Sequence, residues 1–277
     1  MLLTIPQTVT VDGWVRMGTV MLAIYVLFKS VTWVKARSLK TQFGWRGAAY
    51  LLAWPGMNFR AFLDAEQTPA FPRAGEWTVA VLHSGIGVYL VWQLSPELPH
   101  PALRGWVGMV GIFFTLNIGL LRLLSLGWRG AGASAPALWN TPLRARSVGS
   151  FWARHWNLAF HDFVSEFVFR PLARSRGAGF ASLATFLVSG FIHELVLSVP
   201  VGGGYGLPTA YFVLQGGGVL IERSSFGRAL GLRHGLLGWL FTILVVAGPA
   251  FWLFHPTFVS EVVLPFLDDV GAGVPEG

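Results

Sequence analysis

The chain has 277 residues, of which 53% are hydrophobic and only 12% are charged. A soluble domain carries about 25% charged residues, so the composition excludes an ordinary soluble protein and predicts an integral membrane protein. The absence of cysteine excludes disulfides and cysteine metal sites. The formal net charge of +7 is explained by cytoplasmic loops that set membrane topology, so no nucleic-acid partner is expected.

Six segments are apolar enough to be predicted as transmembrane helices. In chain order they cover residues 14–34, 77–94, 103–126, 178–199, 207–221 and 236–254, of which the fifth is short. Lys29 lies near the inner end of the first segment and is expected to snorkel towards the interface. The apolar stretch 48–57 is too short to cross, and Pro55-Gly56 interrupts it, so it is predicted to be an interfacial or re-entrant helix.

Basic residues give the predicted orientation. With six crossings, 17 of the 20 lysines and arginines fall on one side, whereas Arg16 and Arg104 fall on the other. The first side is therefore predicted to be cytoplasmic, with the long loop 127–177 on it and both ends of the chain outside. The loop contains a small-residue linker, GAGASAPA, and the acidic C-terminal tail is expected to be loose. Residues 1–277 form a single polytopic domain, and the bias for arginine over lysine predicts a bacterial cytoplasmic membrane.

A polar and aromatic stretch, FWARHWNLAFHDFVSEFVFRPL, occupies residues 151–172. It is predicted to be one helix, half sunk at the cytoplasmic interface and ended by Arg170 and Pro171. Helical numbering divides its polar residues between two faces, with Asn157, His161 and Arg154 on one and His155 and Asp162 on the other. A simple interfacial amphipathic helix is the alternative, but such helices normally have a lysine-rich polar face.

The sequence SGFIHE places His193 and Glu194 inside the fourth predicted span. His193 lies roughly 20 Å from the cytoplasmic start of that helix, at 1.5 Å per residue. An ionisable residue at that depth is a functional-site candidate and must face protein or a water-filled cavity. Glu194 points about 100° away and is expected to pair with another span or reach the outer boundary. The alternative is that His193 donates to a carbonyl and only locks two helices.

The sequence has no pattern typical of a haem, diiron or phosphate-loop site. His83 could oppose His193 across a haem, but the helix-spaced histidine sets of haem proteins are missing. The seven histidines are too scattered for a diiron centre. The glycine runs 202–204 and 216–218 have no phosphate-loop context. The sequence therefore predicts neither a metal site nor a resident cofactor.

Together, FWARHWN at 151–157, FRPL at 169–172, SGFIHE at 189–194 and PTAYFVLQGGGVLIER at 208–223 resemble the wax-synthase branch of the membrane-bound O-acyltransferase superfamily. The resemblance is best over about residues 138–223, which are taken as the catalytic core. It implies an all-α integral membrane protein, with about six transmembrane helices and interfacial or re-entrant helices around an internal tunnel. It also implies acyl transfer from acyl-CoA, as co-substrate, to the hydroxyl of a long-chain alcohol or other lipid.

The family's catalytic histidine corresponds to His193, and the last residue of its F-W-x-R-x-W-N motif corresponds to Asn157. A histidine near its ordinary pKa is a natural general base for a hydroxyl, and Asn157 would orient the donor or polarise the thioester carbonyl. The predicted substrate contacts are Trp152, Arg154, Trp156, His161 and Glu194. Coenzyme A phosphates are assigned to the arginines Arg144, Arg146 and Arg154.

Two other classes of function stay open at this point. A proton-coupled transporter or flippase would use His193 as a proton relay, although the paired broken helices of transporters are not apparent. A non-catalytic scaffold in a membrane complex would need none of the polar residues described above. Acyl transfer by a purified protein, with labelled acyl-CoA and a panel of acceptors, separates these classes.

Overall fold

All regular elements of the described residues are helical. The structure is a computed structural model and describes residues 11–37, 44–64 and 66–274. Its helices, several of which contain π-helical turns, are α1 (Gly13–Arg37), α2 (Gly44–Leu52), α3 (Phe59–Leu63), α4 (Ala74–Leu94), α5 (Pro101–Gly130), α6 (148–155), α7 (158–176), α8 (Ala178–Val201), α9 (Leu207–Arg223), α10 (Ser225–Ala229), α11 (Gly235–Leu253) and α12 (256–269).

Within the described residues, five helices are long and apolar enough to cross a membrane: α1, α4, α5, α8 and α11. They match five of the six predicted spans, which confirms an all-α membrane protein. The remaining predicted span corresponds to α9, which has 17 residues. At 1.5 Å per residue α9 is about 26 Å long, against a hydrocarbon core of about 30 Å, so six crossings stay a prediction.

Helices α8 and α9 form a closely packed antiparallel pair. A Cβ atom on Gly190 would lie 2.9 Å from the Cα atom of Thr209, so the backbones approach at this glycine as small residues permit. At the other end of the pair, Nη1 of Arg223 lies 3.5 Å from Oγ of Ser182. The helix α9 therefore returns along nearly the whole depth of α8.

The segment from α2 to Gly56, predicted to be interfacial or re-entrant, is held against α1 by a buried lysine. Helix α2 ends at Leu52, before the predicted break at Pro55-Gly56. The prediction that Lys29 snorkels is wrong, because the residue is only 4% exposed. Its Nζ atom donates to the Gly56 carbonyl at 2.7 Å and lies 3.4 Å from the centre of the Tyr50 ring. A buried ammonium group needs such partners, and they fix the turn after α2 against the first span.

The predicted linker GAGASAPA is part of a packed core. Ala133 and Ala135 have no exposed surface, and they pack in the cluster that includes Trp54 and Phe62. Oγ of Ser125 donates to the Ala135 carbonyl at 2.6 Å. The small side chains allow the backbone after α5 to lie within this core, which positions the residues that lead into α6.

The predicted single helix over 151–172 is wrong in two places. It breaks at Trp156, which is extended, and at Asn157, which has a left-handed backbone with φ 42°. The Oδ1 atom of Asn157 accepts from the Phe160 N–H at 3.2 Å and so caps α7. The chain then stays helical past Arg170 and Pro171, because Pro171 falls in the first turn after the π-helical segment Ser165–Phe169, where its missing N–H is tolerated.

The described part of the C-terminal tail is not loose, contrary to prediction. Asp268 forms an ion pair with Arg104, and Oδ2 of Asp269 accepts from the Trp14 indole at 2.8 Å. The Trp92 indole donates to the Val270 carbonyl at 2.9 Å. These contacts join the tail to α1, α4 and α5. Glu276, predicted with the tail, and Lys40, counted in the charge asymmetry, lie outside the described residues.

We expect six crossings, with residue 140 in the cytoplasm and the C-terminus outside. The basic asymmetry of the sequence and the return of α9 along α8 both favour this topology. Reporter fusions at residue 140 and at the C-terminus measure it. A cytoplasmic C-terminal reporter would contradict six crossings and would favour a helix α9 that turns back inside the membrane.

Candidate active site

A cavity of about 290 Å³ lies between α6, α7, α8 and α9, and we call it the central cavity. Aromatic side chains make up much of its wall, and the polar groups are few. Its lining includes Trp152, Trp156, Asn157, Phe160, His161, Ser165, Ser182, Thr185, Phe186, Ser189, His193, Phe212, Val219 and Arg223. The prediction that Asn157 and His193 face one common cavity is confirmed.

His193 lies at the last α-helical residue of α8, before a π-helical turn that begins at Glu194. Its Nδ1 atom is 2.7 Å from the carbonyl oxygen of Ser189 on the same helix. A carbonyl only accepts, so Nδ1 carries a proton, and in the neutral imidazole Nε2 is left as an acceptor. The rings of Phe160 and Phe212 flank the imidazole, with centroids 5.9 and 4.4 Å away. The hydrogen bond lies within α8, so it does not lock two helices together.

The break at Asn157 determines what its carboxamide can do. Because Oδ1 caps α7, the amide NH₂ group remains as a donor, and it has no hydrogen-bond partner among the described residues. The asparagine also lines the central cavity. The site therefore combines an imidazole acceptor with a carboxamide donor.

Three of the five predicted substrate contacts line the central cavity, namely Trp152, Trp156 and His161. Arg154 is exposed and lies outside the cavity lining, because the helix break turns this part of α6 away from α7. His155 contacts the Asn140 carbonyl instead of sharing a face with Asp162. Helical numbering across residues 154–162 fails here because the backbone changes direction at Asn157.

Glu194 also lies outside the cavity lining. Its carboxylate accepts from the Gly206 N–H at 2.8 Å, from the Thr209 hydroxyl at 2.9 Å and from the Thr209 N–H at 3.3 Å. It therefore caps the first turn of α9, where a negative charge is favourable. The expectation that Glu194 pairs with another helix is confirmed, whereas the structure gives no support to its assignment as a substrate contact.

Arg223 is a cavity residue that the sequence analysis did not select. It lines the central cavity, whereas Arg144 and Arg146 lie outside the lining. The signal was present in the sequence, because Phe212, Val219 and Arg223 are spaced as one helical face of α9. The same spacing on α8 relates His193 to a stripe of smaller polar residues that the sequence analysis left unused: Ser182, Thr185 and Ser189.

Two further cavities share walls with the central cavity. A polar cavity of about 390 Å³ shares His161 and Ser165 with it, and is also lined by Arg60, Asp162, Glu166 and Arg170. An apolar cavity of about 260 Å³ shares Trp152 and Trp156 with it. The polar cavity thus meets the central cavity at His161 and Ser165, and the apolar cavity meets it at Trp152 and Trp156, whereas a continuous internal tunnel stays a prediction.

Burial perturbs the titratable groups near the polar cavity. It raises the pKa of Asp162 to about 6, and the nearby Arg170 only partly opposes this shift. Burial and the positive charge of Arg170 lower the pKa of His161. His161, in the wall shared by the polar and central cavities, is thus harder to protonate than an ordinary histidine, whereas Asp162 in the polar cavity takes up its proton at a higher pH than an ordinary aspartate.

Sequence similarity to known proteins identifies the family of the chain. The chain belongs to the membrane-bound O-acyltransferase family, whose sequence pattern matches residues 42–213. The protein named "Probable long-chain-alcohol O-fatty-acyltransferase 2" of Arabidopsis thaliana is 32% identical over 169 residues, covering 54% of this chain and 48% of the relative. This similarity confirms the predicted resemblance to the wax-synthase-like branch.

More distant relatives act on other acceptors, according to their names. Diacylglycerol O-acyltransferase 1 of Arabidopsis thaliana is 35% identical over 106 residues, covering 38% of this chain and 19% of the relative. Sterol O-acyltransferase 2 of Rattus norvegicus is 31% identical over 94 residues, covering 33% and 18%. The chain spans about half the length of the long-chain-alcohol acyltransferases that it matches. These relatives are eukaryotic and do not support the predicted bacterial origin.

Replacing Asp162 with Asn should remove a pH dependence of stability. The folded-state pKa of Asp162 is raised to about 6 from 3.8, so folding disfavours its ionised form. Its favourable contribution is complete below about pH 4 and is lost as the pH rises through about 6. The Asp162→Asn variant should match the wild type at pH 4 and exceed it at pH 7, by less than about 3 kcal/mol.

Thermal unfolding in detergent between pH 4 and pH 8 measures this difference. Asp12→Asn is the matched control, because Asp12 is exposed. Parallel pH profiles for the wild type and Asp162→Asn would show that Asp162 ionises normally in the folded protein.

Proposed function

We propose that the protein is a membrane-embedded O-acyltransferase that moves a fatty acyl group from acyl-CoA to the hydroxyl of a long-chain alcohol or another lipid. The observation on which this rests is the state of His193, whose Nδ1 bonds Ser189 and leaves Nε2 as an acceptor in a largely aromatic cavity. Membership in the membrane-bound O-acyltransferase family supports the reaction class. The names of the long-chain-alcohol relatives support the acceptor class.

In the proposed reaction, His193 is the general base. Nε2 accepts the hydroxyl proton of the alcohol as its oxygen attacks the thioester carbonyl carbon. The tetrahedral intermediate then collapses, so that the carbon–sulfur bond breaks and the ester carbon–oxygen bond remains. The imidazolium returns the proton to the departing coenzyme A thiolate, and the products are an ester and free coenzyme A. No resident cofactor takes part.

Asn157 is proposed to stabilise the charge that develops on the thioester oxygen. Its amide NH₂ group is the donor that remains after Oδ1 has capped α7. Because the cap fixes the carboxamide, this donor is already oriented before the substrate binds, and preorganised donors are effective in transition-state stabilisation. The capping hydrogen bond and the proposed catalytic bond thus use opposite ends of one side chain.

Arg223 is proposed to bind a phosphate of coenzyme A. It lines the central cavity at the end of α9, and within the described residues its guanidinium group makes one hydrogen bond, a 3.5 Å contact with the Ser182 hydroxyl. A guanidinium group with donors to spare suits the bidentate recognition of phosphate. This assignment replaces Arg144, Arg146 and Arg154, which lie outside the lining.

The alternative function, a proton-coupled transporter, would require a different environment around His193. A proton relay requires His193 to exchange protons between two aqueous sides, whereas its imidazole lies between Phe160 and Phe212. An aromatic enclosure suits the exclusion of water from a thioester better than it suits a proton path. Purified protein that transfers no acyl group to any alcohol, glycerolipid or sterol would favour the transporter.

Replacing His193 with Ala should lower the turnover of acyl transfer by about 100-fold or more, because the general base is lost. His193→Gln, which keeps hydrogen bonding but cannot take the proton, should be as inactive as the alanine variant. Turnover with labelled acyl-CoA and hexadecanol measures the loss, with thermal unfolding and detergent-extracted yield measured on the same samples.

His234→Ala is the control, because His234 is exposed and outside the central cavity. It should leave turnover unchanged. Recovery of activity by His193→Gln would mean that the imidazole acts only as a structural donor. Loss of folded protein together with activity in both His193 variants would also contradict the proposed role, since the imidazole bonds only its own helix.

Replacing Arg223 with Gln should raise the KM for acyl-CoA by about tenfold, as expected for losing a charge-assisted hydrogen bond worth about 1.5 kcal/mol. An acyl thioester of N-acetylcysteamine has no phosphate, so its KM should not change. Steady-state kinetics with both donors separates the two effects. Arg154→Gln is the exposed control. An equal loss with both donors would assign Arg223 to the shape of the cavity and not to phosphate binding.

A further inference from the structure

Two tryptophans separate the central cavity from the apolar cavity. Trp152 and Trp156 line both cavities. On the central side, the Trp152 ring lies 5.3 Å from Phe212, the ring that packs against His193. On the other side, the same indole lies 6.4 Å from Tyr211, which lines the apolar cavity. The indole of Trp152 is therefore a wall between the site of His193 and a second compartment.

A buried glutamine holds Trp152 in this position. Oε1 of Gln215 accepts from the Trp152 indole N–H at 3.3 Å, and Nε2 of Gln215 donates to the Val245 carbonyl at 2.8 Å. Gln215 has no exposed surface, so losing the Trp152 indole would leave the Oε1 atom of Gln215 buried and unpaired. These two hydrogen bonds link the Trp152 side chain through Gln215 of α9 to α11, and they restrain its rotamer in addition to packing.

The second compartment is suited to hydrocarbon. The residues that surround it beyond the two tryptophans are almost all apolar: Pro142, Leu143, Ala145, Phe151, Tyr211, Thr242, Ile243, Val246, Ala247, Ala250, Leu253 and Phe254. Helix α11 contributes one hydroxyl group to this wall, that of Thr242, and it donates to the Gly238 carbonyl at 2.7 Å. The compartment therefore offers almost no free polar group to a ligand and favours an alkyl chain.

We propose that Trp152, held by Gln215, sets the length of the hydrocarbon chain that the enzyme accepts, by closing the apolar cavity to the end of the chain. This rests on the proposed acyl transfer at His193. The chain belongs either to the fatty acyl donor or to the alcohol, since both present a linear alkyl group. Trp152 is then a residue that determines specificity, and Gln215 is a positioning residue that acts through it.

Removing the indole should join the two cavities and allow longer chains. Each additional buried methylene contributes about 0.8 kcal/mol, which corresponds to about a fourfold change. Two further carbons therefore correspond to about a 15-fold change. We expect Trp152→Ala to raise, by that factor, the kcat/KM for a chain two carbons beyond the wild-type optimum relative to the kcat/KM at the optimum. Trp152→Phe should shift the same ratio in the same direction by less, because the phenyl ring retains part of the wall.

The experiment measures kcat/KM in two arms. One arm varies the acyl-CoA from 8 to 20 carbons (about two per step) with one fixed alcohol, and the other varies the alcohol with one fixed acyl-CoA. The arm whose optimum moves identifies the chain that enters the apolar cavity. Val246→Phe, which narrows that cavity, should leave the wild-type profile unchanged and should reverse the gain when combined with Trp152→Ala.

Trp92→Ala is the matched control. Trp92 also donates its indole N–H, to the Val270 carbonyl, but it lines neither cavity. Its length profile should be that of the wild type. A Trp152→Ala enzyme whose rates fall equally at every length in both arms, or whose gain survives Val246→Phe, overturns the proposal. Absence of acyl transfer by the wild type at all lengths would instead overturn the proposed function.

Discussion

The carboxylate of Glu194 is the contact on which the geometry of the site depends. Glu194 directly follows His193 in the sequence. Its carboxylate accepts three hydrogen bonds from Gly206 and Thr209, in the turn where α9 begins. This cap fixes the start of α9 beside the imidazole, and the close approach at Gly190 keeps the two helices together. The face of α9 that follows then supplies Phe212 against the imidazole, Gln215 behind Trp152 and Arg223 at the far end of the cavity.

The second constraint is the left-handed backbone of Asn157. A non-glycine residue in this conformation costs about 1–2 kcal/mol, and its own side chain offsets part of that cost by capping α7. The break lets α6 and α7 form two walls of one cavity, which a single straight helix could not do. The cap occupies Oδ1 of the carboxamide and leaves its NH₂ group as a donor.

The three adjoining cavities differ in polarity, as an amphiphilic donor and a hydrocarbon acceptor of the proposed reaction would require. The polar cavity carries two arginines and three carboxylates, of which Glu166 pairs with Arg60 and Arg170. The central cavity contains the proposed reacting groups, and the apolar cavity lies behind the two tryptophans. This change in polarity from cavity to cavity suits the charged and alkyl parts of the proposed substrates.

The amino-acid sequence was enough to predict the membrane class and five of the long helices, and it singled out Asn157 and His193 as candidate site residues, because apolar length and polar residues in apolar segments are local properties. Tertiary structure alone decided which neighbour each polar residue meets. Lys29 contacts Gly56 and Tyr50 instead of reaching the interface, and Glu194 caps the start of α9. Arg154 is exposed because a helix break follows it. Helical periodicity gives the face on which a side chain lies, but the partner on that face depends on how distant segments pack.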